Sequence, residues 1–159
     1  MASELNRNTI KDAIVAVLQA NTSLYDPTGS PGELRVIQTG RPEDELNDAG
    51  MPYAFVRNSR GAFETIVPQN IKVSDASRLI EHELFFDIVV VVNEKDSRFA
   101  ENALDDFQEL ILETIEENQD LNGSVDTSDP VRVSDFPMPS ITNGKQGRVI
   151  TISCTKVTS

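Results

Sequence analysis

The sequence predicts an α+β domain, a mainly antiparallel sheet of about four to six strands with two helices packed on one face. Three observations predict it. From His82 to Asn93 the side chains alternate, with His82, Leu84, Phe86, Ile88, Val90 and Val92 on one side. Glu83, Phe85, Asp87, Val89, Val91 and Asn93 fall on the other, which is the period of a strand with one buried face. Directly after it, Phe99, Ala103, Leu104, Phe107, Leu110, Ile111 and Ile115 recur at helical spacing. Finally, the chain reads in order as helix, two or three strands, long strand, long helix, then one or two strands. A strand with an apolar face joined by a short turn to a helix with an apolar stripe folds back on itself to make the core.

Taken from the N-terminus, residues 1–8 read as a short polar, flexible arm. Asn8 or Thr9 can cap a helix whose stripe is Ile10, Ala13, Ile14, Val17 and Leu18. Residues 21–33 hold two Pro and two Gly among polar residues and read as a loop. Leu34 to Thr39 forms a first strand closed by Gly40-Arg41-Pro42, and 40–51 is a second loop. Pro52 to Asn58 reads as a strand, with the proline at its start where the missing donor does little harm. The long connection 58–80 is loop-rich, with Ala62 to Val67 and Ile71 to Val73 as short extended pieces of a hairpin arm. After the Asn93-Glu94-Lys95-Asp96 turn, Asp96 or Ser97 can cap the long helix, and Leu121-Asn122-Gly123 supplies its stop. Residues 122–147 are again loop-rich, with a brief strand at Val131 to Ser134 and a turn at Asn143-Gly144. Arg148 to Val157 alternates as the last strand. The whole of 1–159 reads as a single domain.

A chain of 159 residues can bury a substantial core. No apolar run reaches the ~20 residues of a membrane span, and the N-terminal residues lack a signal-peptide profile, so synthesis and folding in a cytoplasm are expected. The net charge of −12 argues against binding the phosphate backbone. Its plain reading is solubility or a salty environment; its sharper reading is a surface that passes close to nucleic acid without adhering.

Residues that carry chemistry are sparse. His82 is the single histidine and Cys154 the single cysteine, so neither a zinc site of the usual kind nor an internal disulfide can form. Cys154 falls on the apolar face of a predicted strand and reads as a buried, inert thiol. There is no phosphate loop, nucleophile elbow or kinase signature. Asp105, Asp106, Glu113, Glu116 and Glu117 are explained by a solvated helix face, and Asp126, Ser128 and Asp129 lack the spacing of a calcium loop. No catalytic residue, metal or cofactor is expected. Subunit contacts are the better use of what remains. Arg57, Arg60 and Arg78 flank the long central connection, and Lys145 and Arg148 flank the Asn143-Gly144 turn. Such arginines, on loops of an acidic protein, can meet acidic patches of a neighbouring copy. Phe85, Val89 and Val91 make the second face of the long strand apolar in part, so it is expected to be partly covered and available to a neighbour.

The element order carries a resemblance. The helix Ile10 to Leu18 is followed by Pro- and Gly-containing loops and the short strand Pro52-Tyr53-Ala54-Phe55-Val56. Next come the long strand Leu84 to Val92, an acidic helix with Leu104-Asp105-Asp106-Phe107-Gln108-Glu109-Leu110-Ile111, and a late strand ending Thr151 to Val157. This pattern resembles the tail-terminator proteins of long-tailed bacteriophages and related viruses. The resemblance implies a virion protein assembled in the host cytoplasm: a homohexameric ring that sits on the tail-tube protein, stops tube growth and presents a surface to the head-connector or neck protein. It implies no catalysis, no cofactor and no membrane, and a channel through which the genome DNA passes without specific binding. Another head–tail connector, or a monomeric acidic adaptor that binds proteins, is the alternative; an enzyme using His82 or a carboxylate pair is a third.

Overall fold

A computed structural model describes residues 5–28, 32–40, 52–60, 65–74, 77–93, 97–136 and 145–158. Its elements are α1 (Arg7–Gln19), β1 (Val36–Thr39), β2 (Tyr53–Asn58), β3 (Thr65–Ser74), β4 (Ser77–Asn93), α2 (Ser97–Glu117), β5 (Thr127–Phe136) and β6 (Lys145–Thr158). The fold is the expected α+β class. Five strands lie in the order β1-β2-β4-β6-β5, and β3 pairs with β4. Every pairing is antiparallel except β1 with β2.

β4 is the axis of the sheet. One edge pairs with β6 from Ile80↔Thr158 to Asn93↔Lys145. The other edge is shared end to end, with β2 opposite Phe86–Val91 and β3 opposite Ser77–Glu83. Residues 58–80 are therefore less loop than expected: the described part of the first extended piece, from Thr65, and the second piece belong to one strand, β3, with register shifts between Pro68 and Ser74, while 62–64 lie outside the described residues. Residues 122–147 are corrected in the same way. β5 is ten residues long, not a brief strand at 131–134, and its bulge between Pro130 and Arg132 leaves Val131 out of register. The predicted turns at 94–96 and at Asn143-Gly144, the loop at 41–51 and residues 1–4 lie outside the described residues.

Helix α1 begins earlier than predicted. The cap is Asn6, not Asn8 or Thr9: its backbone is extended and its Oδ1 accepts from the Asn8 and Thr9 amides at 3.0 and 3.2 Å. Ile10, Ile14, Val17 and Leu18 are buried against the sheet. After α2 the chain turns through Leu121, Asn122 and Gly123, all with positive φ, the conformation that ends a helix and that glycine and asparagine tolerate best.

The main core lies between the helices and the even-numbered face of β4. Leu84, Phe86, Ile88, Val90 and Val92 close on Leu104, Phe107, Ile111 and Ile115 of α2, with Ile150, Ile152 and Cys154 of β6. Phe99 departs from its predicted place in the stripe. It is 53% exposed, stacked beside the Arg98 guanidinium at 5.1 Å, because the buried stripe starts at Ala100 and Phe99 stands a further 100° round the helix.

Two substitutions probe this packing. Ile111→Ala empties a fully buried site and is expected to cost about 2–5 kcal/mol. A Cβ on Gly147 would stand 2.9 Å from the Phe136 Cβ, so Gly147→Ala is expected to cost about 1–3 kcal/mol by overpacking. Urea unfolding followed by circular dichroism measures both.

Candidate functional site

The odd-numbered face of β4, turned away from the helices, divides into two halves. At the C-terminal end of β4 it is apolar: Tyr53, Phe55, Val89, Val91, Val149 and Phe136 are buried together, with Val36 against them. Phe136 lies edge-on to Phe55 at 6.0 Å and fills the space over Gly147. This corrects the expectation of a partly covered surface. Val89 and Val91 are fully buried within the single chain and offer nothing to a neighbour; of the three proposed residues only Phe85, half-buried, reaches the surface.

Toward the N-terminal end of β4 the same face becomes polar. The register sets Arg57 opposite Asp87 and Asp87 opposite Thr151. Arg57 Nε donates to Asp87 Oδ2 at 3.1 Å, and Thr151 Oγ1 donates to Asp87 Oδ1 at 2.8 Å. The Asp87 side chain is 3% exposed and that of Arg57 20%. The guanidinium also lies 5.4 Å from the centre of the Phe136 ring, within cation–π range. Its Nη1 and Nη2 make no hydrogen bond to a described residue. One turn of the pleat further, Ser153 Oγ donates to Glu83 Oε2 at 3.2 Å. The carboxylate thus holds Arg57 by its inner nitrogen, close to an aromatic ring. That is a pre-organised arginine suited to a carboxylate or phosphate.

The remaining predicted residues do not join this site. Arg60 is exposed just beyond β2, and Arg78 is the second residue of β4, in register with Lys72 of β3. Lys145 is buried at the start of β6. Arg148 faces the helices, where it donates to Asp105 Oδ1 and, at 2.9 Å, to Gln108 Oε1; it braces α2 against the sheet. The sequence reading missed Asp87, Thr151 and Phe136. A lone aspartate on the inner part of an apolar strand was the available signal for the first.

The outer side of α2 is strongly acidic. Glu101, Asp106, Glu109, Glu113, Glu116 and Glu117 are all exposed, and Arg98 is the one basic residue of the helix. An open groove of about 440 Å³ runs between the end of α1 and α2, bridged where Asn21 Nδ2 donates to Thr114 Oγ1 at 2.9 Å. Among the described residues no three of His, Cys, Asp and Glu are grouped to hold a metal ion. Asp126 and Ser128 are structural: Asp126 Oδ2 accepts from the Val157 amide and Ser128 Oγ donates to the Gln119 carbonyl. His82 Nε2 lies 3.0 Å from Thr158 Oγ1. Cys154 pairs in register with Leu84; burial pushes its thiol up from 9.0 to about 12, and the negative charge of Asp129 adds to the rise. No described helix is long and apolar enough to cross a membrane. No protein-family model matches the chain, and no curated protein matches it in sequence.

Removing the carboxylate by Asp87→Ala strands Arg57 and Thr151 and is expected to cost about 3 kcal/mol. Thr151→Val, which removes one donor, is expected to cost about 1 kcal/mol; urea midpoints distinguish the two. For Cys154 the folded state holds the thiol proton more tightly than the unfolded chain. Its contribution is therefore complete below pH 9.0 and is lost as the pH climbs toward 12. The wild type should lose stability more steeply over that window than Cys154→Ala, and its thiol should react with disulfide reagents only after unfolding.

Proposed function

We propose that this chain is a structural virion protein: a tail terminator that forms a homohexameric ring on the tail tube, ends tube elongation and presents the interface for head attachment. The observation that carries the proposal is the β3–β4 arm. Among the described residues β6 reaches Ile80 of β4, while Ser77 and Arg78 are paired with β3. A two-stranded ribbon is marginal in water by itself, and such an arm gains stability when a neighbouring chain covers it. The exposed carboxylates of α2 fit the same reading, since acidic surface near a channel lets DNA slide without adhering. In this reading the protein acts by assembly, without catalysis or a cofactor.

The test is assembly with tail-tube subunits. Mixed with the tube protein, the chain is expected to form rings of hexamer mass at tube ends, seen by negative-stain microscopy, and to shorten the tubes as its concentration rises. Failure to associate with tube or connector subunits at any concentration would overturn the proposal. Capture of a single non-virion partner in its place would favour the adaptor.

A further inference from the structure

We propose that the second half of β5, residues 132–136, is a strap that swings off the sheet on the bulge at Val131, is latched shut by Phe136, and on release bares the outer edge of β6. The two ends of β5 are held and its middle is not. At one end Ser128 is fully buried, and its Oγ donates to the Gln119 carbonyl at 2.9 Å. At the other, Phe136 lies over Gly147 and edge-on to Phe55, with the Arg57 guanidinium 5.4 Å from the centre of its ring. Between these anchors residues 129–135 are all exposed. Val133 is 41% exposed, so the middle of the strand buries little apolar area to hold it.

On the side of α2 the packing beneath this stretch is open. Val133 stands in register with Ile150 and Asp135 with Arg148, on the face that α2 covers. Two hollows nevertheless lie between helix and strand. One, of about 330 Å³, is lined by Leu112, Gln119 and Pro130; the other, of about 270 Å³, by Leu104, Asp135 and Arg148. The bulge between Pro130 and Arg132 interrupts the ladder and gives the strand a place to bend. Few buried apolar contacts and solvent-exposed backbone hydrogen bonds mark a segment that opens by itself, at less cost than global unfolding. The alternation of β6 says which backbone groups the strap covers. The Thr155 carbonyl accepts from the Asp126 amide at 2.9 Å, so odd-numbered residues of β6 turn their backbone groups to β5 and even-numbered ones to β4. With the strap shut, Gly147, Val149 and Thr151 are paired with Phe136, Ser134 and Arg132. With it open, those three positions present donors and acceptors along an edge that has neither the proline nor the bulge of β5. The inference concerns the single chain and does not rest on the assembly reading.

Amide hydrogen exchange on the full-length protein, at several urea concentrations below the unfolding transition, tests this. The amides of Arg132, Ser134, Phe136, Gly147, Val149 and Thr151 are expected to exchange at least about tenfold faster than those of Phe86, Ile88 and Val90. They should also respond little to urea, because a local opening exposes little surface. Two variants separate the strap from the body. Phe136→Ala should speed the strap amides at least about tenfold further, since it removes the latch. Ile111→Ala, in the main core, should speed the amides of Phe86, Ile88 and Val90 and leave the strap rates unchanged. Strap amides that exchange as slowly as the core amides, that follow them in urea, or that speed up equally in Ile111→Ala overturn the inference. The urea series on the wild type decides even where a variant does not fold, and no outcome bears on tube capping.

Discussion

The pairing of β4 with β6 runs from Ile80↔Thr158 to Asn93↔Lys145 without a register shift, and a slip of β4 by one residue in it would turn that strand over. Phe86, Ile88 and Val90 would then leave the helices, and Asp87 would enter the main core in their place. Nearly everything else is fixed by this ladder. It sets Ile150 and Ile152 beside Ile88 and Phe86 under α2. On the opposite face it brings Thr151 to Asp87 and places Gly147 beneath Phe136. The slip is unfavourable on both faces at once, because each presents a different pattern, apolar from Leu84 to Val92 of β4 on one side and graded from apolar to charged on the other.

The charged end of that gradient is best understood as a device for orientation. A hydrogen-bonded ion pair taken out of water gains little net stability over an apolar replacement, whereas breaking it is costly. Asp87 is nearly sealed from solvent and Arg57 is not, so the pair spans the boundary between interior and surface. The consequence is geometric: an arginine that would otherwise sample many rotamers is fixed by its inner nitrogen and by the Phe136 ring. The entropy of ordering it is already spent in the folded chain.

How much of this was legible in the sequence depends on whether a residue's neighbours are near in the chain. The alternation of residues 82–93 and the stripe of α2 carried the fold class, because burial of one face leaves a period. β5 left none: residues 129–135 are exposed on both faces, so a ten-residue strand looked like a loop with Val131 to Ser134 in it. The first residues of β4 were missed for a related reason, as Ser77–Leu79 pair on one side only. Phe99 was misplaced because a stripe read on spacing alone tolerates an error of one position. At the candidate site, Arg57 was visible as a basic residue beside a long connection. Its partner is thirty positions away across a register that no local spacing reveals, and the burial of Val89 and Val91 depends on Phe136, which comes from a segment read as loop.

The edges of the sheet narrow the ways in which copies of this chain can join. β1 is four residues long, and Gln19 Nε2 donates to the Ile37 carbonyl at 2.8 Å, so part of its backbone is already occupied by α1. β5 is long and exposed, but Pro130 lacks a donor, the adjacent bulge breaks the register, and Asp129, Arg132 and Asp135 place charge along it. These are the features by which natural edge strands resist pairing with another chain. Exposed Val131 and Val133 on such an edge offer some apolar contact without an unbroken row of backbone donors. Joining by strand addition is therefore disfavoured at both ends of the sheet. What the fold leaves for association is the edge of β3, which is paired with β4, and side-chain surface such as the exposed carboxylates of α2.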